Sequence, residues 1–375
     1  MAKNINNEPF DEATKLKLDI FGDSFEKWLP VFINDRYTNQ VVVFDFFAGS
    51  GKDKNGEKGS PLILLDKAKG LNKQYCGAAR KSIQFIFNEF MSDKSTQLSH
   101  NVSQFITDCT KENGCKECIY ELDILKQDFQ EVFQSPQTQS ILSNSKIAKF
   151  ILLDQYGFKE INDDIFLKLV SYPRTDFIFF ISSSFVRRFK EHPNTKKYIS
   201  TEKIDFENAK AKDCHRIIAN YFRSLIPQGR EYYIHHFTIQ KEKNKGNFYG
   251  LIFGSNHTLG MEKFLKTCWK YDKFSGEANF NIENDFKPGE LFYDPNTTNK
   301  KTQVKDELKR HILSGRISDN ITGFKFVMRK GCEPSLFTEL IKELEKANLI
   351  KREGDKNNSS TNIHKAKQYF IKLVK

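Results

Sequence analysis

The residues of this chain best placed to do chemistry are Asp45, Gly49 and Gly51, within the stretch VVVFDFFAGSG at residues 41–51. Four successive apolar residues, three of them β-branched, suit a strand buried on both faces. The strand ends in an acidic residue and then small ones. Glycines there can adopt backbone angles closed to other residues and bring main-chain N–H groups against a ligand, while Asp45 supplies a carboxylate at the strand's carboxyl edge. Such a constellation suits a nucleotide-type ligand. A Walker A loop would require glycine at Phe46 and Ser or Thr at Asp53, so it is excluded. A dinucleotide loop should open directly into a helix, whereas the charged turn KDKNGEKGS follows here.

The pattern D-x-F-A-G-S-G resembles the cofactor loop of S-adenosylmethionine-dependent methyltransferases, particularly those acting on nucleic-acid bases. The resemblance implies that Asp45, Phe47, Ala48, Gly49 and Gly51 bind the cofactor, with Asp45 and the glycines around its methionine part. A second strand, SIQFIF at 82–87, closes on Asn88-Glu89, which places Glu89 to accept from ribose hydroxyls. A third strand spans 119–125, and since the turn after this strand faces the adenine ring in methyltransferase sheets, the resemblance implies that Asp128 meets the adenine amine with Phe129 packed beside it. A fourth strand, 148–153, ends in Asp154-Gln155-Tyr156-Gly157. Base-amino methyltransferases carry an Asn/Asp-Pro-Pro-aromatic motif at this point. Asp154 and Tyr156 are therefore the candidate catalytic pair, one accepting from the target amine and the other stacking on an extruded base. Both prolines are replaced here.

These positions need a sheet to hold them. Residues 11–33 place Leu16, Leu18, Phe21, Phe25, Trp28, Leu29 and Phe32 at mostly helical spacing, predicting an amphipathic helix packed under the sheet. Residues 93–107 read as polar and helical at best. A fifth strand spans 176–182, a mostly helical, charged insertion spans 185–228, and strands at 232–240 and 247–253 are joined too tightly to be parallel. Five β/α units closed by an antiparallel hairpin make an α/β, doubly wound, Rossmann-like methyltransferase sheet, expected over residues 1–293.

At 375 residues with formal net charge +11, the chain can form two domains. From Thr297 onward there are 18 Lys and Arg against 9 Asp and Glu, so only +2 remains for the rest. A helix at 302–313, a second beginning after Glu333-Pro334 and a basic turn predict a winged helix-turn-helix over 294–375. Lys342 and Lys346 on its exposed face, with Lys351, Arg352 and Lys356 in the wing, would meet phosphates, of DNA ahead of RNA. With no membrane-length apolar run and no signal-peptide core at MAKNINNEPF, a cytoplasmic protein without membrane attachment is expected. Seven cysteines, an odd number, fit a reducing compartment. Cys109, Cys115 and Cys118 supply three thiols where structural zinc takes four ligands, and only His100 or Cys76 could be added by folding, so no metal is assigned. His235, His236 and His257 read as packed or surface residues.

The segments LDIFGDSFEKWLPVF, DFFAGSGKDKNGEKGSPLILL, LLDQYGF and SNHTLGMEKFLKTCWKYD, with the C-terminal segment, resemble the three-Cys-motif partner (TcmP) family of bacterial and phage-linked proteins. That resemblance implies a methyltransferase-like fold, a winged helix and a partner protein carrying a cysteine-ligated cluster. The family's usual motif at the fourth strand is nearer Asp-Pro-aromatic-Gly than Asp-Gln-Tyr-Gly. Two functions are compatible with these features: methyl transfer to nucleic acid, and a non-catalytic DNA-binding scaffold that recruits the partner.

Overall fold

A computed structural model describes residues 8–75, 81–113, 120–155, 160–182, 210–241, 248–282, 299–354 and 357–374. Seven strands form one sheet: β1 (Gln40–Asp45), β2 (Ser82–Asn88), β3 (Tyr120–Leu125), β4 (Ile147–Leu153), β5 (Thr175–Ile181), β6 (Tyr233–Gln240) and β7 (Phe248–Ser255). Their order is β3-β2-β1-β4-β5-β7-β6. Neighbours among β1 to β5 pair in parallel, and β7 lies antiparallel between β5 and β6. The sheet is of the Rossmann-like methyltransferase kind, as the order of elements predicts.

The helices are α1 (Glu12–Ile33), α2 (Ser60–Tyr75), α3 (Ser92–Asn113), α4 (Phe129–Gln134), α5 (Pro136–Ser143), α6 (Asp163–Ser171), α7 (Cys214–Leu225) and α8 (Thr258–Tyr271). Asp11 caps α1 by accepting from the Thr14 amide at 2.8 Å, and Phe21, Phe25 and Leu29 are fully buried. The apolar run of β1 is shared between two layers. Val41 and Val43 face a core built with α1, α2 and α8, and Val42 and Phe44 a core built with α4, α6 and α7. The polar stretch at 93–107 is the middle of the long helix α3, which shows the buried Leu98 and Val102 to the first core. Of the expected insertion, α7 is described, and residues 183–209 lie outside the described set.

Toward the C-terminus come α9 (Lys300–Leu313), α10 (Asn320–Arg329), α11 (Ser335–Lys346), β8 (Ile350–Gly354), α12 (Thr361–His364) and β9 (Tyr369–Leu373). β8 and β9 pair antiparallel. Two corrections follow. The spacing predicts two helices here, but α10 stands between them, with Phe324 against Phe337 at 4.5 Å between ring centroids. The link between the strands also contains the short α12 rather than a bare turn. The boundary expected at 293/294 falls outside the described residues.

This unit shares the first core with the sheet. Along the seam, the Trp269 indole donates to the Gly331 carbonyl at 2.9 Å, and Thr258 Oγ1 lies 2.8 Å from His364 Nδ1. His364 Nε2 in turn meets Glu262 at 2.6 Å. At the β6 end of the sheet, the Thr238 amide donates to the Glu277 carbonyl at 2.7 Å, and Asn279 donates back to Thr238 at 3.1 Å. At the other end, β3 leaves Glu121 and Asp123 exposed. Among the described residues no helix is long and apolar enough to cross a membrane.

Candidate functional site at the carboxyl edge

The register of the sheet decides which side chains meet. Asp45 of β1 pairs with Phe87 of β2 and Leu152 of β4. Glu89 and Asp154 therefore emerge beside Asp45, where β1 is flanked by β2 on one side and β4 on the other. That is the point at which the strand order reverses, the usual ligand crevice of an open α/β sheet.

Asp45 is fully buried. It accepts from Ser60 Oγ at 2.6 Å, at the start of α2, and from the Phe47 amide at 3.2 Å. Burial pushes its carboxyl up to about 7, with the charges of Asp154 and Glu89 adding to the rise and the two hydrogen bonds opposing it. Its position therefore braces the loop from beneath. Gly49 and Gly51 have φ of 63° and 80°, the left-handed region that favours glycine. The Gly49 amide donates to Glu89 at 3.0 Å, and Glu89 also accepts from the Met91 amide at 2.8 Å. Ala48 is held by the Asn88 carbonyl at 2.9 Å. Phe46 stacks on Phe44 at 5.1 Å, while Phe47 meets Phe129 at 5.2 Å. The charged turn has its own organiser in Asp53, which accepts from the amides of Asn55, Glu57 and Phe10.

Asp128 is exposed and caps α4, one oxygen accepting from the Gln130 amide at 2.8 Å. Phe129 is buried against Phe46 and Phe133. Asp154 forms an ion pair with Lys17 of α1 at 2.5 Å, both side chains less than one-fifth exposed. Tyr156 lies outside the described residues.

Several contributors carry no local sequence signature of their role. Asn88 ties the β1 loop to the β3 loop, donating to the Gln127 carbonyl at 3.0 Å and accepting from its amide at 3.1 Å. Its place at the end of β2 was visible; its partners are not local. Lys17 looks like an ordinary polar position on α1, and nothing near it in sequence points to Asp154. Gln155, where the related motif has proline, is almost completely buried. It donates to the Phe180 carbonyl at 3.3 Å and accepts from the Glu160 amide at 2.9 Å, so it stitches β4 to β5. Phe90 and Met91 follow Glu89 with 63% and 51% exposure, large apolar groups left in solvent at this edge.

The candidate phosphate contacts are unequal. Lys342 and Lys346 are exposed on α11. Lys351 is 3.4 Å from Glu353. Arg352 is already matched, donating to Glu345 at 2.6 Å and lying over the Tyr369 ring. Lys356 lies outside the described residues, as do Cys76, Cys115 and Cys118; Cys109 and His100 are on α3. Among the described residues no three potential ligands cluster for a metal. His235 and His236 are buried in β6, and His257 caps α8.

No family model matches the chain, and no curated protein matches it. Among solved structures it is similar to Trm1 from Pyrococcus horikoshii, solved with S-adenosyl-L-methionine, at 11% identity over 78% of this chain and 71% of that one, TM-score 0.37. It is also similar to a Listeria monocytogenes protein assigned to the class I S-adenosylmethionine-dependent methyltransferases, at 10% identity over 66% and 62%, TM-score 0.31. A third similar structure is a human methyltransferase 10 domain containing protein, at 11% identity over 63% and 82%, TM-score 0.30.

Proposed function

We propose that this chain is an S-adenosylmethionine-dependent methyltransferase acting on nucleic acid, DNA ahead of RNA, in a bacterial or phage-linked two-protein system. The observation that carries the reading is the convergence of the Gly49–Gly51 turn with Asp45, Glu89 and Asp154 where the strand order reverses. The donor set suits the cofactor: a carboxylate beside a glycine amide, an exposed carboxylate on Asp128 and uncovered apolar groups at Phe90 and Met91. When bound, the cofactor supplies an electrophilic methyl group on a sulfonium.

In this reading Gly49 and Gly51 let the main chain approach the methionine part, with Asp45 fixing the loop from below. Glu89, steadied by the Gly49 and Met91 amides, accepts from the ribose hydroxyls. Asp128 keeps an oxygen for the adenine amine, and Phe90 and Met91 cover the ring. Asp154 accepts from the target amine while Lys17 balances its charge, and Tyr156 stacks on the base. Alignment of acceptor with methyl then supplies much of the rate. The C-terminal unit, read as a winged helix, presents Lys342 and Lys346 to phosphates.

Calorimetric titration with S-adenosylhomocysteine tests the reading: micromolar binding by wild type and none by Gly49→Trp is expected. A well-folded wild type that does not bind would overturn it.

A second reading, a non-catalytic scaffold that recruits a three-Cys-motif partner to DNA, is favoured by one observation. Asp154 is committed to Lys17, and Gln155 is used to join strands in place of a proline. Cofactor binding without transfer to any oligonucleotide, alongside DNA affinity lost on reversing Lys342 and Lys346, would select it.

A further inference from the structure

A second concave site lies at the opposite, amino-terminal edge of the sheet. Because β6 is antiparallel to β7, and β7 to β5, β6 runs in the same sense as β1 to β5. Its start at Tyr233 is therefore far along the strands from Asp45 and Glu89. There, a cavity of about 450 Å³ is lined by Asn220 and Arg223 of α7, Arg230 and Tyr232 of the following turn, Met261 of α8 and Arg329 of α10. It thus lies between the sheet and the C-terminal unit.

The charge in this cavity is one-sided. Arg223 spends its donors on neutral acceptors, the Ile234 carbonyl at 2.8 Å and the Asn220 amide oxygen. Arg230 donates to the Ser171 carbonyl at 3.0 Å. Among the described residues no carboxylate lies within ion-pair distance of Arg223, Arg230 or Arg329. The nearby acids make their contacts elsewhere: Glu277, whose charge reaches Arg223, pairs with Arg216 at 2.7 Å and Lys300 at 2.5 Å, Glu231 pairs with Lys325 at 2.7 Å and accepts from the Tyr233 hydroxyl, and Asp176 accepts from the Trp28 indole at 2.8 Å. Desolvation also holds the Arg223 guanidinium below its ordinary range. Tyr232 contributes the wall of the cavity, its ring stacked on Phe177 at 6.2 Å and its hydroxyl sealed from solvent. Glu277 acts on Arg223 and Glu231 on Arg329 only beyond contact distance, so three guanidiniums meet at the cavity with no carboxylate in contact, and an anion placed among them would complete the balance.

We propose that this cleft is an anion site that receives a phosphate group, held by Arg223, Arg230 and Arg329. Guanidinium forks match phosphate oxygens in pairs, which selects phosphate over a spherical anion such as chloride. The phosphate could belong to a free or terminal phosphoryl group or to the phosphodiester backbone of a nucleic acid; the chemistry of capture is the same.

The test uses the full chain as wild type and as the double variant Arg230→Gln/Arg329→Gln, whose side chains are exposed. Thermal unfolding is followed in sodium phosphate and in sodium chloride of equal ionic strength. Phosphate should raise the wild-type Tm above the chloride value, with the rise more than halved in the double variant. Binding of a DNA dodecamer separates the sources. An affinity loss of about fivefold or more in the double variant assigns a phosphodiester, and unchanged affinity with a lost phosphate response assigns a free or terminal phosphate. Equal responses in wild type and double variant, or no phosphate response in wild type, would overturn the proposal. The double variant should retain S-adenosylhomocysteine affinity, so failure here is distinguishable from failure of the methyltransferase reading.

Discussion

Asp45 at the carboxyl edge and Glu262 at the seam are both buried carboxylates, and burial alone would raise the pKa of each, yet the two move in opposite directions. Asp45 has only a serine hydroxyl and one amide and rises to about 7. Glu262 is held down at about 2, because His364 and Lys266 outweigh its burial. The seam spends its polar groups on each other and gains stability. The carboxyl edge leaves a carboxylate under-compensated, a cost that makes sense where a ligand or a loop must be held. The lesson is that hydrogen-bond and charge partners, rather than burial, distinguish a joint from a site.

The largest expected effect is at the joint. Trp269→Ala removes a buried indole and its bond to Gly331, and should destabilise by about 3–5 kcal/mol in urea unfolding. Affinity for S-adenosylhomocysteine should survive under conditions where the variant stays folded; a parallel loss would mean that seam and site are coupled. Next comes Lys17→Met, which strands Asp154 and should cost about 3 kcal/mol, most of it regained in Lys17→Met/Asp154→Asn. No recovery in the double variant would show that the lysine acts through packing.

The pH dependences should then carry opposite signs. The carboxyl of Glu262 is depressed from 4.5 to about 2, so its contribution is present above pH 4.5 and lost as pH falls toward 2; His364→Gln should flatten that acid limb. The carboxyl of Asp45 is raised from 3.8 to about 7, so folding loses stability as pH climbs between those values. Asp45→Asn should accordingly gain on wild type as pH rises from 4 to 7, while binding the cofactor analogue more weakly. A constant difference across that range would mean that Asp45 titrates as an ordinary acid. The smallest effect is expected from Lys342→Ala and Lys346→Ala. Stability should change by less than about 0.5 kcal/mol, and each substitution that removes a phosphate contact should lower the salt slope of DNA binding by about one.

Much of the sheet was legible because each strand carries its own local signal. β1 reads as buried on both faces from four consecutive apolar residues, and the short link between β6 and β7 dictates their antiparallel pairing. The helix α10 is short and carries a weak local signal: Asp319 caps it and Phe324, Val327 and Met328 lie at helical spacing, but the alternation Phe324-Lys325-Phe326 and an internal Gly323 dilute the helical pattern. The site was only half legible. Asp45, Glu89 and Asp154 sit at strand ends, which patterning can find. Lys17 and Asn88 act through partners 137 and 39 residues away, and pairing at that range is set by the register of the sheet.

The strand-like cover at Thr238 also bears on assembly. Residues 277–279 occupy the outward backbone groups of Thr238 and, through the Asn279 side chain, those of Gln240, so the C-terminal half of β6 is covered. At the far side, Glu121 and Asp123 guard β3, where an incoming strand would bring its own side chains against two negative charges. With one margin capped over part of its length and the other fenced, the sheet is a poor template for lengthening by strand addition. A protein partner of this fold is therefore expected to be recognised through side chains on its helices and loops rather than through main-chain pairing.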